Sequence, residues 1–490
     1  MKGELAEVEH RCFRCCTGFA FKKCKTVDSK RFGELSHMRK VFLLYMYRQL
    51  SRYVKAAFFG FLVDTPNRNY VKLVMMKRRR FRMARIVMKF GGATLASSAH
   101  IFEIAKKAIH EKEKGHDVVI VTAAMTSSAN ELTKMARDLS DDASKRELDV
   151  LRSTSSQQSS ALVAIALQEE GYNAVSLTGW QAGVQTDAMH VNARIDYVDV
   201  SRLEEHLAQE QIVVVAGEQG IDHLQNITTL GKGGAETTAV AIAAALDAER
   251  VNIYTNVEGV YTADPNHVKG AQKLKEISYN EMLELSNLGT HILHPRAVEL
   301  AKKFQIPVII RSNEIDTVGT LLKEEVEMEK NLIVRGVAYE SDVIRLTVGY
   351  DAYSDASLAD IFTILADHRI NVDIIVQAII DGLKPTVSFT ILKEEFAEAL
   401  RVLEESKLSL GFSFADFEVG LAKVSIIGSG MASNPGVAAR MFDRLRHEGI
   451  PVKMVSTSEI KVSVVVPQDD MIHAANALHD EFNLEQALYM

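Results

Sequence analysis

From Ile86 onward the chain alternates short apolar runs with longer stretches in which apolar residues recur every three or four positions. Ile101, Ile104, Ala105, Ala108 and Ile109 fall at helical spacing and are followed by the apolar run Val118-Val119-Ile120-Val121. Ser98 reads as the N-cap of that helix and Gly115 as its stop. Further strands are predicted at Ala174 to Leu177, Ile212 to Val215, Val251 to Tyr254 and Pro307 to Ile310, and further helices at 155–170, 236–247 and 296–304. Strands that alternate with amphipathic helices cover both faces of a sheet, so this rhythm predicts an α/β sandwich with a mostly parallel sheet over about 84–325.

After Gly319-Thr320 the pattern changes. The charged stretch from Lys323 to Lys330 reads as a linker or a solvated helix face, and beyond it a repeat begins. Phe362, Leu365, Ile370 and Val372 recur 80 residues later as Phe442, Leu445, Ile450 and Val452, each set the core face of a helix and the strand after it. Val343 to Val348 stands beside Val424 to Ile427 in this register, and Val387-Ser388-Phe389 beside Val462-Ser463-Val464. The spacing predicts two βαββαβ-like modules. Small repeated modules without clusters of catalytic residues bind ligands or form interfaces, so regulation is the expectation for 331–490.

Charge and cysteine divide the chain differently. Its net charge of −7 hides a basic segment, residues 1–82, with 20 Lys and Arg against 6 Asp and Glu, which leaves the rest at −21. All four cysteines, Cys12, Cys15, Cys16 and Cys24, lie in this segment, and no second pair or nearby histidine pair completes a tetrahedral metal site. A body free of cysteine fits a reducing cytoplasm. The apolar runs at 41–47 and 56–63 are well short of the roughly 18 residues a membrane span needs, so no membrane association is expected, and an acidic body gives no basis for nucleic-acid binding. Met83-Ala84-Arg85 opens directly into the first strand, and Arg79-Arg80 can be encoded by a ribosome-binding sequence. Residues 1–82 are therefore expected to be a non-native or disordered leader.

The candidate chemistry lies in two glycine clusters placed where a strand gives way to a helix, Lys89-Phe90-Gly91-Gly92 and Gly231-Lys232-Gly233-Gly234. Glycine lets backbone N–H groups approach an anion, a helix N-terminus adds partial positive charge, and lysine adds a full one. Two such loops point to a nucleotide polyphosphate. With Leu177-Thr178-Gly179-Trp180-Gln181-Ala182-Gly183, Asn192-Ala193-Arg194-Ile195, Leu293-His294-Pro295-Arg296-Ala297, Ser433-Asn434-Pro435-Gly436 and the run Val455 to Lys461, they make residues 84–490 resemble the aspartokinases.

That resemblance implies a three-layer amino-acid kinase sandwich at 84–325 followed by two ferredoxin-like ACT domains, 331–412 and 413–490, the second completed by the strand near 331–340. It implies transfer of the ATP γ-phosphate to an amino-acid carboxylate with Mg²⁺ bridging phosphate oxygens, and no metal site built from protein side chains. Lys89, Gly91, Gly92 and Lys232 are then the catalytic set; Lys89, Phe90, Gly91, Gly92, Thr255, Asn256, Tyr261, Asp264 and Asn266 face ATP. Ala129, Ser156, Glu218, Lys232, Ala235 and Glu236 stand at the acceptor positions. A homo-oligomer formed through the ACT domains and an amino-acid effector, lysine or threonine, bound at Ser433-Asn434-Pro435-Gly436 are also implied.

Several positions depart from the family pattern. Ser156, in Ser153-Thr154-Ser155-Ser156, stands where a turn carries a glutamate for the substrate ammonium, and Ala129 and Ala93 stand where threonines do. Asn256 replaces an aspartate, Asn266 an arginine, Lys232 an arginine and Glu236 an aspartate; Glu218-Gln219-Gly220 replaces Phe-Gln-Gly. Glu218 restores the missing anion if its side chain turns inward. The acceptor is thus aspartate, or a related dicarboxylate without the α-amine, or the chain is a catalytically weak regulatory paralogue.

Overall fold

A computed structural model describes residues 84–288, 292–324, 333–350, 355–380 and 384–486. The chain divides into two units, Met1–Arg82 and Met83–Met490. The first unit, and with it the sequence reading of the basic leader, lies outside the described residues, as does most of the charged stretch after Lys323.

The catalytic half is built on an eight-stranded sheet of order β10-β12-β11-β9-β1-β2-β6-β3. These strands are β1 (Arg85–Phe90), β2 (Asp117–Thr122), β3 (Ala174–Leu177), β6 (Ile212–Ala216), β9 (Arg250–Thr255), β10 (Glu276–Ser278), β11 (Val308–Ser312) and β12 (Thr320–Lys323). All neighbours pair in parallel except β11 with β12. Alternation along each strand sends side chains to opposite faces. Ile86, Met88, Phe90, Ile120 and Val214 pack beneath α1 (Ser98–Glu113) and α3 (Lys145–Glu169), with α2 (Thr126–Leu139) between these two helices in the chain. Val87, Val119, Val121, Val213 and Val215 face the other layer, where α5 (Gly234–Leu246) contributes Ala239, Val240, Ile242, Ala243 and Leu246. Two apolar layers on one sheet make the three-layer sandwich.

A small sheet, β5-β4-β7-β8, caps this body. Its strands are β4 (Val184–Thr186), β5 (Ile195–Val198), β7 (Gln219–Ile221) and β8 (Ile227–Thr229), and α4 (Ser201–Ala208) follows β5. Two short helices, α6 (Tyr279–Asn287) and α7 (Pro295–Phe304), follow β10.

Residues 336–486 form a six-stranded antiparallel sheet of order β14-β15-β13-β16-β18-β17. Its two central strands, β13 (Gly336–Gly349) and β16 (Phe414–Ile427), are each 14 residues long and pair along nearly their whole length, with register shifts between Glu340 and Arg345. One half of each strand therefore belongs to each repeat. The first repeat adds α8 (Asp355–Asp367), β14 (Ile375–Ile380), β15 (Lys384–Leu392), α9 (Phe396–Glu405) and α10 (Lys407–Leu410). The second adds α11 (Val437–His447), β17 (Met454–Thr457), β18 (Lys461–Pro467) and α12 (Met471–Glu481). Each has its own core: Leu365 and Ile370, with Phe362 and Val372 at the margin, in one; Leu445 and Ile450, with Phe442 and Val452 at the margin, in the other. Where the repeats meet, Lys423 is 4% exposed and pairs with Glu340 and Asp373. Burial alone lowers a lysine pKa, but the two carboxylates outweigh it and hold this one raised.

Three sequence expectations change in the structure. Ser97, not Ser98, caps α1, its hydroxyl accepting the His100 N–H, because the capping residue must keep an extended backbone outside the helix. Helix α3 begins at Lys145, ten residues before the predicted start, so Ser153-Thr154-Ser155-Ser156 is helix interior and not a turn. A serine-rich run weakens the apolar period there, but each buried hydroxyl of Ser153, Ser156, Ser159 and Ser160 donates to a carbonyl three or four residues back. The strand predicted from Pro307 begins at Val308 and runs to Ser312.

Candidate active site

The carboxyl ends of β1, β2 and β6 lie level, with Phe90 opposite Thr122 and Thr122 opposite Ala216. Loops leaving these ends converge with the loop into α5, and a crevice at the carboxyl ends of parallel strands is where open α/β sheets bind ligands. Gly231 and Gly233 have φ of 73° and 71°, the left-handed region that a side chain resists. A Cβ on Gly233 would also stand 2.3 Å from His294 Cβ, and one on Gly92 2.3 Å from the Ala124 carbonyl oxygen. At Gly91 a Cβ would meet only Lys89 Nζ, at 3.6 Å, so that glycine faces open space beside the lysine.

Lys89, 7% exposed at the end of β1, donates to Glu236 Oε1 at 3.0 Å. Glu236 Oε2 accepts the His294 backbone N–H at 2.8 Å, so one carboxylate ties the first glycine loop to α5 and to the entrance of α7. His294 caps α7, its Nδ1 accepting the Arg296 N–H, with Pro295 at the first helical position. Burial lowers the His294 pKa, against the pull of Glu236. Arg296 donates to Asn192 Oδ1 and to the Leu230 and Ala193 carbonyls at 2.7 to 3.1 Å, clamping the loop ahead of Gly231. Beneath it Asp149, fully buried, accepts from Thr229, from the Val191 N–H and pairs with His190 Nδ1.

Glu218 sits two residues past β6 with φ of 66°, a costly conformation for a non-glycine residue. Its backbone is tied to α5 and to the loop ahead of it, its N–H donating to Thr238 Oγ1 at 3.3 Å and its carbonyl accepting the Leu230 N–H at 2.8 Å, and its carboxyl lies within electrostatic reach of Lys89 and Glu236. Burial pushes it up to about 7; Lys89 and the Ala124 N–H pull it down, and the Glu236 charge adds to the rise. Lys232 is exposed at the mouth of the loop, and Ala235 is buried at the start of α5.

Ser156 and Phe90 both turn their side chains into the protein. Ser156 is 1% exposed, receives a hydrogen bond from Gln219 Nε2 and donates to the Ser153 carbonyl, so its hydroxyl is closed onto the protein. Phe90 is core, stacked on Tyr254 with ring centroids 4.6 Å apart, leaving only its backbone for a ligand. Ala129, in α2, is partly exposed and brings no polar side-chain atom. Among the residues expected at the nucleotide, Thr255 donates to the exposed Asn256, and Tyr261 is half-buried. Asp264 is turned to its own loop and to β13, accepting from the Asn266 N–H at 2.9 Å, from Asn266 Nδ2 and from Tyr339 OH. Burial would raise its pKa, but these bonds and His267 hold it lower.

His294 and Arg296 enter the sequence reading only within the Leu293–Ala297 motif, with no role assigned, and Asp149 and His190 do not enter it. For the first two a signal existed in Pro295, a helix-start residue preceded by a side chain able to cap. For Asp149 and Thr229, 80 residues apart, none existed.

Two of the second module's contacts with the catalytic half lie beside the candidate loops. His479 of α12 is fully buried with Nε2 2.9 Å from Thr262 Oγ1, inside the loop that holds Tyr261 and Asp264. Glu281 of α6 accepts the Ser429 N–H and hydroxyl at 2.9 and 3.0 Å, just ahead of the proposed effector loop. In that loop Asn434 Nδ2 donates to the Gly430 carbonyl, and Gly436, φ 100°, precedes α11. The Ser433 side chain, and the equivalent first-module loop at 351–354, lie outside the described residues.

A parallel sheet between two helical layers, paired glycine loops around a buried lysine and two tandem α/β modules define an amino-acid kinase carrying ACT modules. Residues 84–312 match the amino acid kinase family and 424–482 the ACT domain. The chain is 52% identical over 404 residues to aspartokinase 2 of Bacillus subtilis (strain 168), covering 82% of this chain and 99% of that one. It is also 52% identical over 405 residues to the aspartokinase of Geobacillus stearothermophilus, covering 82% and 98%. The chain belongs to the aspartokinase family. Its fold matches the crystal structure of E. coli aspartokinase III in complex with aspartate and ADP (R-state), with a TM-score of 0.69 at 24% identity over 81% of this chain and 99% of that one.

Proposed function

We propose that the chain transfers the γ-phosphoryl group of ATP to the side-chain carboxylate of L-aspartate, giving 4-phospho-L-aspartate, the first step towards lysine, threonine, methionine and diaminopimelate. The observation that carries this reading is Lys89, pinned by Glu236 at the convergence of two glycine loops, within a chain 52% identical to named aspartokinases. Two anions, the γ-phosphate and the acceptor carboxylate, must approach each other, and Lys89 supplies charge between them while the Gly91-Gly92 and Gly231–Gly234 backbones donate to the phosphate oxygens. Mg²⁺ bound with the nucleotide would supply further charge neutralisation and would ask few ligands of the protein. Among the described residues, no group of three His, Cys, Asp or Glu side chains forms a cage of its own.

The ACT modules serve feedback by lysine or threonine bound beside Ser433, Asn434, Pro435 and Gly436, and they pair between chains. Apolar side chains left open on the six-stranded sheet support the pairing: Ile375 and Val376 on edge strand β14, Val455 on edge strand β17, and Phe414, Phe417 and Val419 on β16. A strictly monomeric mass by sedimentation would overturn it. The cysteine-free sequence after residue 82 supports a cytoplasmic setting, and among the described residues no helix is long and apolar enough to cross a membrane.

The test is ADP release with saturating MgATP and, separately, aspartate, malate and succinate. Turnover with aspartate, slowed by lysine or threonine and reduced at least about a hundred-fold in Lys89→Met, is the expected result. Selective turnover of malate, or none with any of the three, overturns the reading.

A further inference from the structure

An amino-acid acceptor brings an ammonium group into the pocket, and a buried ammonium needs an anion. The acids around the convergent loops are few. Glu236 is spent, one oxygen on Lys89 and the other on the His294 N–H. Asp149 is spent on Thr229, Val191 and His190. Ser156 carries no charge, and its hydroxyl is closed onto Gln219 and Ser153. Glu218 remains: among the described residues its carboxyl forms no ion pair, its backbone is fixed beside the glycine loop by Thr238 Oγ1 and the Leu230 N–H, and the carboxyl lies within electrostatic reach of Lys89. Gly234 secures this placement, since a Cβ there would lie 3.0 Å from Glu218 Cα and 3.2 Å from Glu218 Cβ.

We propose that Glu218 is the specificity-determining residue of the acceptor pocket, its carboxylate receiving the α-ammonium of the amino-acid substrate. This rests on the carboxylate-kinase reading above and adds to it which side chain distinguishes an amino acid from its des-amino analogue. A left-handed backbone at a glutamate and a carboxyl without a side-chain partner are both costly to the free protein, and an arriving ammonium offsets the second.

Two readouts test it. Calorimetric titration of the full chain, with ADP present, gives Kd for aspartate and for succinate in the wild type, in Glu218→Gln and in Glu218→Asp. Glu218→Gln is expected to weaken aspartate roughly ten- to a hundred-fold and leave succinate unchanged, with Glu218→Asp between the two. The second readout is pH. Lys89 and Glu236 are the charged groups that act on Glu218, and Glu236 in turn holds the His294 N–H. Ammonium binding favours the ionised carboxylate, so aspartate affinity should rise between pH 6 and 8 in the wild type and stay flat in Glu218→Gln. Equal loss of both ligands, unchanged aspartate affinity, or failure of the wild type to bind aspartate overturns the assignment. Aspartate binding that needs Glu218 but leads to no ADP release overturns the kinase reading instead.

Discussion

Glu281 links the two halves of the molecule through a carboxylate with no exposed surface. Its Oε2 accepts the Ser278 N–H at 3.2 Å and the Ser278 hydroxyl at 2.9 Å, closing a capping box at the start of α6, while its Oε1 accepts the Ser429 N–H and hydroxyl. Glu281→Gln keeps the shape and replaces one oxygen by an NH₂ group. Whichever way the amide turns, a backbone N–H of Ser278 or Ser429 then faces a donor; a hydroxyl can rotate to accept, but an N–H cannot. An orphaned buried donor costs about 1–3 kcal/mol, and weakening the remaining charge-assisted bonds adds about 1 kcal/mol, so the contact should lose roughly 2–4 kcal/mol. Glu284→Gln on the same helix is the control, because its pair with Lys461 is partly exposed and worth at most about 1 kcal/mol. A chain of several modules does not melt as one unit, so the assay is hydrogen exchange of the peptide spanning 424–431. Exchange that follows local opening should speed roughly 30- to 1,000-fold in Glu281→Gln and less than about tenfold in Glu284→Gln. Equal exchange in the two variants would refute the reasoning.

Two further outcomes are expected. Gly233→Ala forces a side chain into the left-handed region, at about 1–2 kcal/mol, and drives its Cβ into His294, whose N–H holds Glu236. Both the melting temperature and aspartate-dependent ADP release should fall, and an unchanged melt would show that the loop relaxes freely. His479 is buried with Nδ1 unpartnered, and burial lowers its pKa against the pull of Asp480 and Glu485. The folded state then binds fewer protons than the unfolded one, so stability is kept above about pH 6.5 and lost as pH falls from there through the lowered value. The wild-type melting temperature should drop more steeply than that of His479→Gln between pH 6.5 and 5, and parallel curves would exclude His479 as the cause.

Much of the fold was legible before any coordinates. The strand core at Val118 to Val121 is a continuous apolar run because helices bury both faces, and that pattern needs no partner to be read. The repeat that places Leu365 with Leu445 is likewise written locally, in helical spacing. Helix α3 starts earlier than its pattern predicts because Ser153, Ser156, Ser159 and Ser160 satisfy their hydroxyls on their own helix, which composition does not reveal.

In the site, residue types and their order along the chain were enough to place the glycine loops, Lys89 and the family. Pairings between distant segments were not. Whether a carboxylate faces a lysine depends on how loops from β1, β6 and α5 meet, and residues 147 positions apart, such as Lys89 and Glu236, carry no mark of each other. The same position on a strand-end loop serves equally for a solvated glutamate and an inward one. Backbone conformation at Glu218 and the close approach of Gly234 to it fix where that residue stands, just as Gln219 closes onto Ser156. Local pattern thus names the elements and the chemistry available, whereas burial and approach, which are properties of the assembled chain, select which groups meet one another.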